Sequence, residues 1–459
     1  MQPGRARLIL YIMPVLLAGG VGCSFQWRSP LGADRSPSLV APPASDSSTL
    51  SLPPSTAIPE GSSLDVERGL RRLDAEVSLL RGLYPATQIP LRVLTPGALR
   101  AKWVDECMAQ LSPEAVTAEA KVLAMLGLLD SDFDLASFYE ALAREWADHL
   151  ASSYNFQLGE IVLADPPALD PSSTLTYIGS YSDALRAEHF GIGGELACCP
   201  VACADFGDAG LALAALIQGD TNLVQEQWVR TFADESEAGR LEASIGQIGV
   251  EAFDRAPRFL KEVLVFPLVE GRAFVHELYL DGDWPAVDRA YADPPASTEQ
   301  VLHPALYPEG DPLAIEAPDL SASLGTMWPI LRVGILGELL TREMLEAYLP
   351  EEQAAEAAAG WGGDVLLAFR NAESGAGLLI LITRWDNLRQ AQDFALAFRP
   401  YGLARFGERK ATDRGDTWAW DGGYSLLERA SDQTLWILAP DKATADIVRT
   451  GLVFPAPNR

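Results

Sequence analysis

The sequence predicts an α+β fold, in which a mainly helical core is followed by a C-terminal two-layer α+β domain. Apolar residues at helical spacing dominate residues 64–350, and strand-like and helix-like segments alternate in residues 351–459. The chain has 459 residues, of which 48% are hydrophobic and 21% charged. That length is typical of two or three folded units, and that composition excludes a mainly disordered acidic chain.

Helical signals open the predicted core. Apolar residues recur there at intervals of four and three: Val66, Leu70, Leu73, Val77 and Leu80. Thr95-Pro96 and Ser112-Pro113 each pair a capping residue with a proline at the first helical position. A further helix follows Asp130. Two longer helices are predicted at 177–190 and 206–232.

Strand signals are short in the core and longer near the C-terminus. An apolar strand is predicted at 91–94, and strand and turn character returns at 154–164. The C-terminal pattern is strand 365–371, strand 377–385, helix 386–407, strand 416–430, strand 433–439 and helix 442–452. This ββαββα order predicts a small two-layer domain.

Residues 1–23 have the layout of a secretion signal. Arg5 and Arg7 precede an apolar run at 8–17, and small residues, with Gly20 among them, lead to Cys23. The run is too short to span a bilayer, which takes about 20 residues. A cysteine directly after small residues resembles a bacterial lipobox. We therefore expect export and a lipid anchor at Cys23, on the outer face of the cell membrane; the alternative is an ordinary cleaved signal.

Residues 24–63 are rich in Ser, Pro and Ala and lack regular apolar spacing, which is typical of a flexible tether. The formal net charge is −28, and the sequence pI is about 4.5. Such acidity argues against a nucleic-acid partner and against a polybasic hold on anionic lipid. The one partner that the sequence predicts is the membrane, through Cys23, and it predicts no cofactor.

Four cysteines follow Cys23 in the chain: Cys107, Cys198, Cys199 and Cys203. Export to an oxidising compartment permits disulfides among them. Three close thiols also suggest a soft-metal site. However, that segment contains no histidine and no paired C-x-x-C, so we favour disulfides.

A larger set of motifs resembles a family of exported bacterial and archaeal zincin-like metallopeptidases. The matching motifs, over about residues 64–400, are Phe274-Val275, Trp284, Pro294-Pro295, Ser297-Thr298-Glu299-Gln300, His303-Pro304 and Gly360-Trp361-Gly362-Gly363-Asp364. The resemblance implies a helix with an H-E-x-x-H core and a second helix with E-G-D-A. In such a site two histidines and a second-helix glutamate hold zinc, and the first glutamate activates water.

This chain departs from that pattern at the zinc site itself. Gly179 and Asp183 stand at the two histidine positions, Ser180 replaces the catalytic glutamate, and Gln218 replaces the acidic ligand on the second helix. His189 keeps the end of the first motif. The resemblance therefore implies a degenerate member that lacks the zinc ligands.

Three functional hypotheses remain open on the sequence. The leading one is a lipid-anchored pseudoenzyme with a binding or envelope role. The second is a hydrolase with a rebuilt acidic site around Asp183, His189 and Asp220, which are also the weak candidates for a metal. The third is a tethered binding module that presents an aromatic surface near Trp284, Trp328 and Trp361.

Overall fold

The structure is a computed structural model that describes residues 63–165, 169–191, 207–233 and 251–454. It confirms the α+β class: helices dominate up to residue 327, and a seven-stranded antiparallel sheet forms most of the remainder. Within the described ranges, no helix is long and apolar enough to cross a membrane.

Six helices form the first part of the core. They are α1 (Ser63–Arg81), α2 (Pro96–Met108), α3 (Pro113–Leu126), α4 (Leu135–Ala147), α5 (Pro171–Phe190) and α6 (Gly207–Phe232). The predicted starts are confirmed, because Thr95 and Ser112 accept hydrogen bonds from the first-turn N–H groups of α2 and α3. Gly127 ends α3 in the left-handed conformation, with φ of 77°.

A small three-stranded sheet lies beside these helices. Its strands are β1 (Leu91–Leu94), β2 (Ser152–Asn155) and β3 (Glu160–Ala164), in the order β1-β3-β2. The pair β1–β3 is parallel and β2–β3 is antiparallel. The strand predicted at 91–94 is thus confirmed, and the segment predicted at 154–164 belongs to the β2–β3 hairpin.

The second part of the core contains one long helix and several short ones. The α-helices are α7 (Glu251–Arg255), α8 (Arg258–Ala292), α9 (Thr298–Leu302) and α10 (Ser321–Leu324), and the 3-10 turns are Pro304–Leu306 and Gly325–Met327. α8 kinks at Gly282 and Asp283. It packs closely along α6, where a Cβ at Gly219 would overlap the Gly271 carbonyl. Glycine at 219 and 271 therefore lets the two backbones touch.

The large sheet contains more strands than the predicted ββαββα order. Its strands are β4 (Ile330–Gly334), β5 (Trp361–Arg370), β6 (Gly377–Trp385), β7 (Arg409–Ala411), β8 (Gly415–Trp420), β9 (Gly423–Ala430) and β10 (Gln433–Ala439). The accompanying helices are α11 (Gly337–Glu346), α12 (Glu351–Ala358), α13 (Leu388–Phe406) and α14 (Lys442–Gly451). The strand order is β4-β5-β6-β10-β9-β8-β7, with every pair antiparallel.

The large sheet differs from the expected order in two places. The single strand predicted at 416–430 is a hairpin, because Gly422 takes a φ of 87° and turns the chain between β8 and β9. The strand β4 joins the sheet although it precedes residue 351, so the predicted domain boundary falls inside this unit.

Helices cover both faces of the large sheet. One face packs against α13 and the helical core, and contributes Trp361, Trp385 and Trp436 to a hydrophobic core that extends back to α1. The other face packs against α10 and α14 in a second, smaller cluster. The domain therefore has three layers where the pattern predicted two.

Candidate functional site

The four positions that the resemblance aligns with a zinc site lie buried on adjacent helices. Gly179, Ser180 and Asp183 are on α5, and Gln218 is on α6. The hydroxyl of Ser180 lies 2.9 Å from the Ser152 hydroxyl and donates to the Thr176 carbonyl at 3.1 Å. Gln218 Oε1 is buried and accepts no hydrogen bond from the described residues. Glycine, serine and glutamine do not supply the donor set that zinc requires, so these residues do not fit the metal.

A network of buried ion pairs joins these two helices to α1. Arg186 donates to Asp183 Oδ1 and, at 2.8 Å, to the Thr221 hydroxyl. Arg81 binds Asp220 with both ends of its guanidinium, at 3.0 and 3.1 Å. Arg186 Nη1 also lies 3.9 Å from Asp220 Oδ2. All four side chains are at most 3% exposed. We call these four residues the arginine network.

Residues of α8 complete the surroundings of Arg81. The hydroxyl of Tyr291 donates to Asp220 Oδ2 at 2.7 Å, and Arg81 Nη1 lies 2.7 Å from Asp288 Oδ1. The Arg81 guanidinium stands over the Trp284 ring, 4.3 Å from its centroid. The matched motif residue Trp284 therefore packs against a buried cation.

The two arginines set the charge state of the network. Burial raises the pKa of Asp220, but the charges of Arg81 and Arg186 outweigh it and hold that pKa below its ordinary value. Burial raises the pKa of Asp183 to about 6, against the opposing charge of Arg186. The pKa of Arg81 is raised by the neighbouring carboxylates in spite of burial. Both cations are thus permanently held next to the carboxylates.

His189 does not join Asp183 and Asp220. It is exposed at the end of α5, and its Nε2 lies 2.9 Å from the Tyr84 carbonyl oxygen. The prediction that these three side chains converge in a rebuilt site is therefore wrong. The arginines bind both aspartates, and His189 contacts the loop that contains Tyr84. Among the residues that the structure describes, no group of three or more His, Cys, Asp or Glu side chains is placed to hold a metal ion.

The other predicted sites are the cysteines and the aromatic surface, and the structure describes only some of these residues. Cys107 is buried in α2 and is disulfide-bonded. Cys23, Cys198, Cys199 and Cys203 lie outside the described residues. The predicted aromatic surface is wrong for two of its three members, because Trp361 is 0% and Trp284 8% exposed. Trp328 alone is partly exposed.

A second group of titratable side chains lies where the helical core meets the large sheet. We call it the junction cluster, and its members are Asp208, Glu299, His303, Glu338, Asp364 and Asp386. Four of its carboxyl groups are buried, whereas His303 and Asp386 are exposed. The motif residues Thr298 and Trp361 donate hydrogen bonds to two of the buried carboxyl groups.

Hydrogen bonds from the backbone anchor part of the junction cluster. Asp364 accepts from the N–H groups of Leu336 and Gly337 at 2.8 and 2.9 Å, and from the Trp361 indole at 2.7 Å. Asp208 accepts from the N–H of Thr298 at 3.1 Å and from the hydroxyl of that residue. These bonds fix the beginnings of α9 and α11.

Two glutamates of the junction cluster are less well satisfied. Glu338 Oε1 pairs with His303 Nε2 at 2.9 Å, while Glu338 Oε2 is buried without a hydrogen-bond partner in the described residues. Glu299 is 4% exposed. Burial, reinforced by the charges of Glu338 and Asp386, raises the pKa of Glu299 to about 8. This carboxyl group is therefore largely protonated at neutral pH.

Other members of the junction cluster shift in the same direction. Burial raises the pKa of Asp208 to about 7 and that of Asp364 to about 6, although hydrogen bonds oppose both shifts. The hydrogen bond that His303 Nε2 donates to Glu338 raises the pKa of His303. The cluster thus binds protons near neutral pH, which gives it the chemical capacity to exchange them.

The sequence did not indicate the residues that set the charge of the arginine network and of the junction cluster. Arg81 and Arg186 lie in or next to segments that the sequence predicts to be helical, and nothing else distinguishes Arg81. The one local clue was an Asp-Arg pair three residues apart, at 183 and 186, on a helix of small and apolar residues. Glu338 had no motif around it. Glu299 was singled out only as part of the motif at residues 297–300, where the Gln300 N–H donates to Ser297 Oγ.

Comparison with known proteins gives one match. A family model described as a domain of unknown function, DUF8575, matches residues 332–449. That stretch runs from within β4 to within α14, so it covers almost the whole large sheet and less than half of the chain. No curated protein and no solved structure matches this chain.

Proposed function

We propose that this chain is a lipid-anchored, extracytoplasmic pseudoenzyme, in which a metallopeptidase-like scaffold lacks the zinc ligands and the catalytic glutamate and acts by binding. The observation that carries the proposal is the arginine network. A zinc site requires a positive ion between negative or neutral ligands. Here the guanidinium groups of Arg81 and Arg186 supply the positive charge next to Asp183 and Asp220.

The energetic argument concerns what a metal ion would displace. Arg186 binds the one side chain at a former ligand position that still carries a carboxylate, Asp183. A cation that bound Asp183 would leave a buried guanidinium without its partner, and uncompensated buried charges cost several kcal/mol. The site is also closed to water, because its side chains are at most 3% exposed. A hydrolytic water has no approach.

Metal content and peptide hydrolysis test the proposal on the purified protein. We expect less than 0.1 equivalent of zinc, on the order of background, after dialysis against zinc and then buffer, as measured by plasma mass spectrometry. Asp183→Asn is the matched control, because metal that persists unchanged in this variant is bound elsewhere. One equivalent of zinc that Asp183→Asn removes, together with chelator-sensitive peptide cleavage, would refute the proposal.

The proposed anchor has a separate test, because its failure would leave the pseudoenzyme proposal intact. The signal layout of residues 1–23 supports lipidation of Cys23. In a bacterial host, the full chain is expected to incorporate radiolabelled palmitate and to sediment with membranes. Cys23→Ser should abolish the label, whereas Cys107→Ser should keep it. Equal labelling of the Cys23→Ser variant would exclude this anchor.

A further inference from the structure

A groove runs along α3, between that helix, the beginning of α4 and the β5–β6 hairpin. Its volume is about 430 Å³, which falls within the ~300–1,000 Å³ of sites that bind small molecules. Val116, Leu135 and Phe369 are buried on its floor, and Phe133 and Leu331 are partly buried on its walls. We call this cavity the α3 groove.

Two basic side chains line the α3 groove. Lys121 is half-buried on α3, and Arg370 is exposed at the end of β5. Within the ranges that the structure describes, neither side chain forms an ion pair or a hydrogen bond. The formal net charge of the chain is −28. Two unpaired cations beside one apolar cavity therefore reverse the prevailing charge locally.

The acidic group in the same lining is already engaged. Asp134 accepts a hydrogen bond from the Ser137 N–H at 3.0 Å and another from the Ser137 hydroxyl at 2.7 Å, as the cap of α4. These bonds lower the pKa of Asp134 and direct its charge to the helix N-terminus. The lining thus carries two cations against one carboxylate, and neither cation pairs with Asp134.

A second cavity adjoins the α3 groove. It has a volume of about 600 Å³ and shares Ala124, Met125, Ser131 and Gly377 with the groove. Leu128 and the stacked pair Phe406–Trp420 lie on its walls. An unbranched apolar chain that begins between the two cations can therefore contact the apolar side chains of the groove and, beyond them, Leu128 and the Phe406–Trp420 pair.

We propose that the α3 groove binds a small anionic amphiphile, namely a carboxylate that carries an acyl chain. The carboxylate lies between Lys121 and Arg370, and the chain covers the apolar floor. Charge complementarity selects an anion, and the volumes of the two cavities suit a small molecule. This site lies apart from the arginine network, and the inference does not depend on the pseudoenzyme proposal.

Calorimetric titration with dodecanoate, below its micellar concentration and at pH 7, tests the inference on the full chain. We expect saturable binding of one equivalent. Dodecyltrimethylammonium has the same tail and the opposite charge, and we expect it to bind at least about tenfold more weakly. Absence of dodecanoate binding, or equal binding of the two amphiphiles, would overturn the proposal.

Matched variants locate the binding. The double variant K121E/R370E should weaken dodecanoate binding at least about tenfold. The control K410E/R414E, at the far edge of the large sheet, makes the same change in net charge and should bind like the parent. Unchanged binding by K121E/R370E would contradict the proposed location. Ala120→Phe fills the groove without a change in charge and should also prevent binding; circular dichroism melting checks that each variant is folded.

Discussion

The arginine network and the junction cluster both bury carboxylates, but they compensate the negative charge by different means. In the arginine network, two guanidinium groups pair with Asp183 and Asp220. In the junction cluster, the one imidazole pairs with Glu338, and protons and backbone N–H groups compensate other carboxyl groups. The comparison teaches that the guanidinium groups leave Asp183, with a pKa of about 6, as the one carboxyl group of the arginine network that titrates near neutral pH, whereas several carboxyl groups of the junction cluster do so.

The largest expected effect comes from removal of a permanent cation. Arg186→Met should lower the free energy of unfolding by about 3–5 kcal/mol, because Asp183 then remains buried without a partner. Urea denaturation measures the change. The double variant R186M/D183L should recover most of the loss, since it replaces the pair with apolar groups. A loss below about 1 kcal/mol in Arg186→Met would contradict the role of the guanidinium as the compensating charge.

The next largest effect is expected at Asp364, where hydrogen bonds rather than a cation stabilise the buried carboxylate. Asp364→Ala removes the acceptor of three buried donors, the N–H groups of Leu336 and Gly337 and the Trp361 indole. Unsatisfied buried donors cost about 1–3 kcal/mol each, with partial relief from water, so a loss of about 2–4 kcal/mol is expected in urea denaturation. Trp361→Phe removes one of these donors together with its bond. If it destabilised as much as Asp364→Ala, packing rather than the carboxylate would govern this site.

A moderate effect on stability, which depends on pH, is expected for a substitution in the junction cluster. The pKa of Glu299 is raised to about 8 from the ordinary 4.5. A raised pKa means that the folded state binds the proton more tightly, so its stabilising contribution is complete below pH 4.5 and is lost as pH rises to 8. Glu299→Gln should therefore melt at a higher temperature than the parent at pH 8.5.

The same comparison at pH 5 provides the internal control for Glu299→Gln. Near pH 5 the two proteins should differ little in stability. Between pH 5 and pH 8.5 the difference between their free energies of unfolding should change by less than ~1.4 kcal/mol per pH unit, which is the limit for one titrating group. Glu408→Gln changes an exposed glutamate in the same way and should show no pH-dependent difference. A melting difference for Glu299→Gln that is constant from pH 5 to 8.5 would exclude a shifted Glu299.

The smallest effect is expected for a charge pair outside both groups. Arg144 pairs with Glu140 on the exposed side of α4, where their side chains are 65% and 48% exposed. Arg144→Ala should cost about 0.3–0.5 kcal/mol, because solvent and salt screen such pairs. Urea denaturation at low and high salt checks this value. A cost comparable with that of Arg186→Met would mean that burial does not distinguish the two pairs.

Much of the fold follows from local signals in the sequence. Proline and a capping side chain mark the beginnings of α2 and α3, and their structural counterparts are the bonds to Thr95 and Ser112. These signals act within one helical turn, so neighbours in the chain suffice to predict them. The strand β4 and the pairing of β6 with β10 depend on residues far away in the sequence, and local patterns do not contain them.

The same distinction explains what was missed at the sites. The changed zinc-site positions were found from a motif, whereas Arg81 and Asp220 meet across 139 positions of the chain. Asp183 and Asp220 were expected near each other because their helices were expected to pack together. Nothing local indicated that guanidinium groups would lie between these helices, or that His189 would turn to the Tyr84 carbonyl.

The central position of β10 in the large sheet has a consequence for when this sheet can fold during synthesis. Although β10 is the last strand in sequence, it lies in the centre of the sheet and bonds to β6 on one side and β9 on the other. A chain that ends before Gln433 would leave two open strand edges rich in leucine and isoleucine, which are templates for aggregation. Nascent or truncated chains should therefore depend on chaperones until almost the entire sequence has emerged.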